Sequence, residues 1–120
     1  MDGQPTSGET PSEVEEEDKQ ILRCRACETE IADADDIFSL DGRPAVQHFA
    51  NPIGALWEVL TVRRARGLLF DGQAFTAFTW FPGYTWRNIA CVGCAQHMGW
   101  VYEGGNAPPV FFGLVRGNLA

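Results

Sequence analysis

Two Cys-x-x-Cys pairs constrain the fold of this chain more than any other feature. Cys24 and Cys27 form the first pair, Cys91 and Cys94 form the second, and residues 28–90 separate them. A two-residue spacer lets both sulfurs of a pair turn toward one metal ion, and four thiolates are typical of a structural zinc site. Because four sulfurs leave no position for a catalytic water, the pattern predicts one structural Zn²⁺ that joins two distant parts of the chain.

Two alternatives to a zinc site are a pair of redox motifs and a set of buried free cysteines. Neither pair lies in a βαβ pattern, which disfavours a thioredoxin-like motif. Met1 precedes neither a basic segment nor an apolar one, and no run of about 18 apolar residues occurs. These observations predict a cytoplasmic protein outside the membrane, where structural disulfides are rare. His48 and His97 are possible further ligands, but we expect structural or partly exposed histidines.

The acidic character of the chain is concentrated in one segment. Residues 1–19 hold seven acidic residues and one lysine, are rich in Gly, Pro, Ser, Thr and Glu, and show no apolar periodicity, so we expect a disordered tail. Residues 20–120 hold nine acidic residues and eight arginines without a basic stripe. This balance argues against nucleic-acid binding. Residues 20–120 are predicted to form one zinc-binding domain.

The turn signals predict a small all-β domain. Gly, Pro, Asn and Asp recur every eight to twelve residues or so, and no stretch sustains a helical period, so little helix is expected. Strands are predicted over 45–49, 56–62, 98–103 and 110–115. A hairpin turn is predicted at Asp71-Gly72, with residues 73–81 as the strand that follows it.

Three of the four tryptophans lie close to the second cysteine pair: Trp80, Trp86 and Trp100. Trp100 and Tyr102 are two residues apart on a predicted strand and therefore share a face. Aromatic rings in a small β domain ordinarily form the core. Indoles are rarely wholly buried, however, and their N–H groups need partners, so a pocket lined by these rings is the alternative.

These motifs together resemble the thalidomide-binding (CULT) domain family of cereblon. The resemblance rests on Trp80-Phe-Pro-Gly-Tyr-Thr-Trp86, on Cys91-x-x-Cys94 and on His97-Met-Gly-Trp100, and it extends over about residues 22–118. It implies a β-tent fold, in which a structural zinc pins two antiparallel sheets together. The chain is most similar to a bacterial stand-alone form, because no Lon-like domain precedes the zinc-binding part.

The resemblance also implies a ligand site. Trp80, Trp86 and Trp100 would form a cage with Tyr102 as its base, for cyclic imides such as glutarimide and thalidomide and for related heterocycles such as uracil and uridine. A terminal cyclic imide on a protein is a further candidate ligand. The backbone carbonyl of Phe78 and the backbone N–H of Trp80 would hold the imide group. The implied ligand-binding positions are Asn51, Pro52, Phe78, Thr79, Trp80, Trp86, Trp100 and Tyr102.

Some positions depart from the animal members of the family. Phe78 and Trp57 stand where those members have histidine, and Tyr102 stands where they have phenylalanine. Without a Lon-like domain, assembly with a ubiquitin ligase is not expected. The predicted function is non-enzymatic binding of a small molecule, since all four cysteines are committed to metal and no thiol nucleophile remains. The alternatives are a protein-interaction zinc module and an enzyme of the sulfoxide reductase type that has lost its catalytic cysteine.

Overall fold

The computed structural model describes residues 20–120. The acidic segment, for which disorder is predicted, lies outside the described residues. The strands are β1 (Ile21–Arg23), β2 (Glu30–Asp33), β3 (Val46–Ala50), β4 (Leu56–Val62), β5 (Leu68–Phe75), β6 (Thr85–Cys91), β7 (His97–Glu103) and β8 (Val110–Val115). Helix is confined, within this range, to two single-turn 3₁₀ segments at Ala34–Asp36 and Arg116–Asn118.

The strands form two antiparallel sheets. β1 and β2 make a two-stranded sheet, and the other six strands make a sheet in the order β3-β4-β8-β7-β6-β5. Every strand pair is antiparallel. The predicted fold class, an all-β domain of two antiparallel sheets with little helix, is confirmed. Within residues 20–120, no helix is long and apolar enough to cross a membrane.

The two faces of the six-stranded sheet bury different kinds of side chain. Successive residues of a strand point to opposite faces, so β7 directs Val101 to one side and Trp100 and Tyr102 to the other. The first face carries a mainly aliphatic cluster made of Cys24, Ile31, Ala32, Leu60, Val62, Ile89, Cys91, Met98, Val101, Phe112, Leu114 and Leu119. The second face carries a mainly aromatic cluster made of Leu40, Val59, Phe81, Tyr84, Trp100, Tyr102, Phe111 and Val115.

A β-bulge at the start of β7 places His97 on the same face of the sheet as Trp100. Ala90 of β6 pairs with His97, whereas Ile89 pairs with Gly99, so Met98 is an extra residue in β7. Gly99 has a φ of +136°, and a Cβ at this position would collide with the Gly113 carbonyl oxygen. The bulge turns Met98 into the aliphatic cluster, so that His97 and Trp100 share a face although they are three residues apart.

The predicted hairpin at Asp71-Gly72 is wrong, and of the strand predicted over 73–81 only residues 73–75 lie in a strand. β5 continues through this turn dipeptide to Phe75, with an irregular register between Asp71 and Phe75. Residues 76–84 form a loop, in which Phe78 has a φ of +62°. The aromatic and threonine content of this loop is typical of a strand, but its rings pack against other elements. Phe81, for example, lies edge-on to Tyr102 at 4.8 Å between ring centroids.

Candidate functional site

The four cysteines lie on two turns of the same construction. The first turn joins β1 to β2 and the second joins β6 to β7. Each closes with a backbone hydrogen bond to its first cysteine, from Glu28 N–H to the Cys24 carbonyl (2.7 Å) and from Ala95 N–H to the Cys91 carbonyl (2.8 Å). Glu28 and Ala95 both have positive φ, 69° and 68°. Because the two backbones match, their sulfurs can meet at one point.

The sulfur geometry fits a tetrahedral zinc ion. The Sγ atoms of Cys24 and Cys94 are 3.6 Å apart, and those of Cys27 and Cys91 are 3.5 Å apart. All four sulfurs lie within 4.8 Å of one another. Zn–S bonds of about 2.3 Å in a tetrahedron place the sulfurs about 3.8 Å apart. The prediction of one structural zinc held by these four cysteines is therefore confirmed.

Neighbouring groups favour the thiolate form of Cys91. The Gly93 backbone N–H donates to Cys91 Sγ at 3.3 Å, and the Gln96 side chain donates to Cys24 Sγ at 3.8 Å. Burial raises the pKa of the Cys91 thiol, but hydrogen bonds from the backbone N–H groups of Gly93 and Cys94 outweigh it and bring that pKa to about 6. Zinc binds thiolate, so these donors favour metal binding and offset part of its negative charge.

A cavity of about 340 Å³ opens on the aromatic side of the six-stranded sheet. It is lined by Asn51, Pro52, Trp57, Phe78, Trp80, Trp86, Asn88, His97, Trp100 and Tyr102. Seven of the eight positions implied as ligand-binding lie on this lining, and Thr79 does not. Its volume is near the lower end of the range for small-molecule pockets, which suits a compact ligand.

The floor of the cavity follows from the register of two strands. Trp86 is the direct partner of Tyr102, and Asn88 is the direct partner of Trp100, so all four side chains share one face. On the other side of β7, Trp100 pairs with Gly113, which has no side chain. A Cβ at Gly113 would lie 3.0 Å from the Tyr102 ring, so this glycine lets the ring settle against β8.

Two indoles of the cavity wall are held by hydrogen bonds to backbone carbonyls. Trp86 Nε1 donates to the Ala77 carbonyl at 2.8 Å, and Trp80 Nε1 donates to the Ala50 carbonyl at 3.3 Å. The Trp80 ring also stacks on Phe49, with centroids 4.7 Å apart and planes 5° apart. These contacts fix the ring planes before any ligand enters, which lowers the entropic cost of binding.

Tyr102 forms the base of the cavity and is almost completely buried. Its ring stacks on Phe111 with centroids 4.9 Å apart, and Phe81 meets it edge-on. Burial raises the pKa of the Tyr102 hydroxyl well above its usual range, so this hydroxyl stays neutral. The base of the cavity is therefore uncharged.

The rim of the cavity comes from two loops. Asn51 closes a tight turn, since its Oδ1 accepts from the Ala55 N–H at 2.9 Å. Phe78 places its side chain at the surface, 72% exposed, on a backbone that bulky residues rarely adopt. Thr79 Oγ1 accepts from the Phe81 N–H at 3.3 Å and so braces the loop. Within residues 20–120, no hydrogen bond engages the Phe78 carbonyl or the Trp80 backbone N–H.

Three residues of the lining are absent from the set of predicted site residues: Trp57, Asn88 and His97. Trp57 lies edge-on to Trp100 at 5.3 Å, and His97 lies 5.1 Å from the same ring. The sequence contains a signal for Asn88, because residues two apart on a strand share a face and Asn88 is two residues from Trp86. His97 could be found only by recognising the bulge, because its spacing of three from Trp100 does not fit a regular strand.

The sequence has known relatives that share its zinc-binding region. Residues 20–108 match the family described as "Yippee zinc-binding/DNA-binding /Mis18, centromere assembly". Protein cereblon of Drosophila melanogaster is 36% identical over 107 residues, which is 85% of this chain and 18% of that protein. Protein cereblon of Drosophila mojavensis is 38% identical over 106 residues, 84% of this chain and 16% of that protein. The matched region thus makes up less than a fifth of these cereblons.

Proposed function

The chain belongs to the Yippee-Mis18 family of zinc-binding domains, with a cereblon-like sequence, and on that premise we propose that it is a non-enzymatic module that binds compact cyclic imides. The observation that carries the proposal is the cavity without charged side chains in which four indoles, three of them those of the predicted cage, converge with the Tyr102 ring. A flat, uncharged ring buries its apolar edges well against such walls. No Asp, Glu, Lys or Arg of the described residues contributes to the lining.

The polar part of recognition would come from the backbone of the rim loop. An imide has one N–H and two carbonyl groups. Burial of any of these groups without a hydrogen-bond partner makes the free energy of binding less favourable. The Phe78 carbonyl can accept from the imide N–H, and the Trp80 N–H can donate to an imide carbonyl. Since no hydrogen bond within the described residues engages either group, both are available to a ligand.

The expected ligand class shares the unit C(=O)–NH–C(=O). Glutarimide and the glutarimide ring of thalidomide carry it, the uracil ring of uridine carries it, and so does a cyclic imide at a protein terminus. A ligand with so few atoms is limited to micromolar affinity, on the order of −8 kcal/mol at most. Within this proposed chemical class, the substituents on the ring would select the ligand.

The proposal excludes catalysis by the metal and by the cysteines. Four sulfurs fill the zinc coordination sphere, so no water can be activated there. The same bonds occupy every cysteine of the chain. The family description includes DNA binding, but residues 20–120 hold nine acidic residues and eight arginines, which does not favour a phosphate backbone. Assembly with a ubiquitin ligase is not part of the proposal, and bacterial origin and cytoplasmic location stay predictions.

Tryptophan fluorescence tests the binding of imides directly. Zinc-loaded protein would be titrated with glutarimide, uracil and N-methylglutarimide, the last of which has the same ring without the N–H. We expect saturable changes with micromolar to millimolar midpoints for the first two and at least tenfold weaker binding for the third. Absence of a saturable change with every imide up to 10 mM would refute the proposal. Equal binding of N-methylglutarimide would refute the backbone contact at Phe78.

Exposed apolar residues at the rim of the cavity favour a second candidate function, which is binding of a protein partner at the cavity entrance. Ile53 is 88% exposed and Leu56 is 79% exposed, and both belong to the stretch that borders the cavity at Asn51 and Pro52. Exposed apolar groups beside a pocket are typical of an interaction surface. A peptide that ends in a cyclic imide should then bind more tightly than the free imide. Ile53→Ser with Leu56→Ser should remove that advantage and leave free imide binding unchanged.

A further inference from the structure

One wall of the cavity holds two buried nitrogen atoms without partners. Trp57 Nε1 and His97 Nε2 are inaccessible to solvent, and neither makes a hydrogen bond within the part of the chain that the structure describes. Both residues line the cavity. Buried polar side-chain atoms nearly always have a partner, so two exceptions on one wall call for an explanation.

The two nitrogens are chemically complementary. The indole N–H of Trp57 can only donate a hydrogen bond. Burial lowers the pKa of His97, while a hydrogen bond to the Gly99 backbone opposes this shift. The ring is therefore neutral near pH 7. Nε2 has no partner, and the Gly99 backbone raises the pKa as a carbonyl that accepts from a ring N–H does, so we assign the proton to Nδ1 and a lone pair to Nε2. The wall thus offers one donor and one acceptor.

These two rings are continuous with the cage. Trp57 and His97 lie edge to face with centroids 5.8 Å apart, and both contact the Trp100 ring at nearly right angles. Trp100 thus belongs both to the cage and to this group of three rings. A substituent on a ring ligand that occupies the cage would meet the wall of Trp57 and His97 beside Trp100.

We propose that Trp57 Nε1 and His97 Nε2 form a second, polar subsite of the cavity, which takes a neutral substituent that both donates and accepts a hydrogen bond. A hydroxyl group and an amide have this property. A carboxylate lacks the donor and an ammonium group lacks the acceptor, and the described lining holds no opposite charge for either. This inference rests on the proposed function, because the substituent reaches the wall only if its ring occupies the cage.

Formation of the subsite requires a small movement of the wall. Neither nitrogen touches solvent in the ligand-free arrangement, so at least one ring must turn when the ligand enters. The Trp57 ring is only partly buried and has room to do so. The turn exchanges two unsatisfied groups for two hydrogen bonds, so the substituent adds affinity as well as selectivity.

A matched ligand series tests the subsite. Glutarimide, 3-methylglutarimide and 3-hydroxyglutarimide would be titrated into zinc-loaded wild-type protein and into the Trp57→Phe and His97→Phe variants, whose folding is checked by circular dichroism. In the wild type we expect the hydroxyl compound to bind about tenfold more tightly than the methyl compound. Each substitution should reduce this ratio to about one. Both residues line the cavity and contact Trp100, so the test is the ratio of the two affinities within each protein, and unsubstituted glutarimide reports separately on the cage.

A second measurement on the wild type covers the case in which a variant does not fold. The ¹⁵N resonances of the His97 ring should report a neutral ring with the proton on Nδ1, and Nε2 should shift with 3-hydroxyglutarimide but not with 3-methylglutarimide. Equal affinity for the two substituted imides, or a hydroxyl preference that survives both substitutions, overturns the subsite and leaves the proposed function intact. Failure of glutarimide itself to bind overturns both.

Discussion

The two faces of the six-stranded sheet use their polar and reactive groups in opposite ways. On the aliphatic face, the four cysteine sulfurs lie together. They are ligands of the metal, and N–H groups of Gly93 and Gln96 donate hydrogen bonds to two of them. On the aromatic face, rings surround a cavity whose wall and rim keep four hydrogen-bonding groups unengaged within the described residues: Trp57 Nε1, His97 Nε2, the Phe78 carbonyl and the Trp80 N–H.

The same strands, β6 and β7, serve both faces. The turn between them carries Cys91 and Cys94, and their bodies carry Trp86 and Trp100. The metal therefore stabilises the strands that form the cavity floor. Because of this support, the fold tolerates hydrogen-bonding groups without partners in the cavity wall. Both faces contribute to stability, but the unengaged groups of the described residues lie on the aromatic face. Metal loss should therefore affect both faces, whereas some substitutions on the aromatic face should weaken binding more than stability.

Loss of the metal should have the largest effect, and it should destroy both faces. Cys24→Ser, or chelation of zinc, removes a contribution of roughly 10 kcal/mol or more in small zinc domains, against a typical domain stability of 5–15 kcal/mol. We expect loss of the cooperative thermal transition in circular dichroism. The control is Val92→Ala, which changes an exposed residue between the two cysteines of the second pair and leaves all four sulfurs in place. A chelated protein that still unfolded cooperatively near the original temperature would show that the metal is not the main support.

Substitutions of two tryptophans should separate binding from stability. Trp100 is 8% exposed and belongs to the aromatic cluster, so Trp100→Ala should cost about 3–5 kcal/mol as well as abolish binding. Trp86 is only partly buried, so Trp86→Ala should lower stability by about 1–2 kcal/mol and weaken glutarimide binding at least a hundredfold. Urea denaturation and fluorescence titration measure the two effects. A loss of about 3–5 kcal/mol for both variants would mean that both indoles serve mainly to pack the core.

Addition of one methyl group at Gly113 should displace the Tyr102 ring, which forms the base of the cavity. Gly113→Ala places a Cβ 2.9 Å from Val59 Cγ1 and 3.0 Å from the Tyr102 ring, so the ring must shift toward the cavity. Overpacking of this kind costs about 1–3 kcal/mol, and binding should weaken with it. The matched control is Gly117→Ala, whose Cβ meets nothing within 4 Å. If both variants behaved alike in urea denaturation, the close approach at Gly113 would have no energetic consequence.

The smallest expected effect is a dependence of stability on pH from His97. Burial lowers its pKa in the folded state below the ordinary value of about 6.5, so the unfolded chain binds more protons as the pH falls below 6.5. Stability should therefore decrease from pH 7 toward pH 5. His97→Gln should flatten this slope in urea denaturation at a fixed free zinc concentration. Zinc binding to the cysteines depends on pH in both proteins, so the difference between the two slopes reports on His97. Identical slopes in both proteins would contradict the burial of a neutral His97.

The metal site could be predicted from the sequence because its geometry is local. Two residues between cysteines define each turn, whatever the remaining chain does. The strands at 56–62 and 110–115 were predictable for a related reason, since β-branched and aromatic residues favour half-buried pleated structure. Neither argument reveals which strands pair, because the order β3-β4-β8-β7-β6-β5 depends on contacts between distant residues.

The rim loop shows where local reasoning failed. Residues 73–81 are rich in aromatic residues and threonine, which favour strands. Trp80, however, turns to stack on Phe49 and donates a hydrogen bond to the Ala50 carbonyl, both in β3. These tertiary contacts override the local preference and hold Phe78 at positive φ. Trp57 was missed as a cavity residue for the same reason, because only the pairing of β4 with β8 brings it toward Trp100. The expectation that Trp80, Trp86 and Trp100 surround one ligand came from the family resemblance alone.

The bulge at Met98 has a consequence for which changes in length the chain can tolerate. A strand that slips by one residue exchanges its two faces, so Val101 would enter the cavity and Trp100 would enter the aliphatic core. The distance from Cys94 to Trp100, with one extra residue at the bulge, determines which outcome occurs. An insertion or deletion in this short interval would therefore invert the floor of the cavity. The same change in the loop over 104–109 would leave that floor intact.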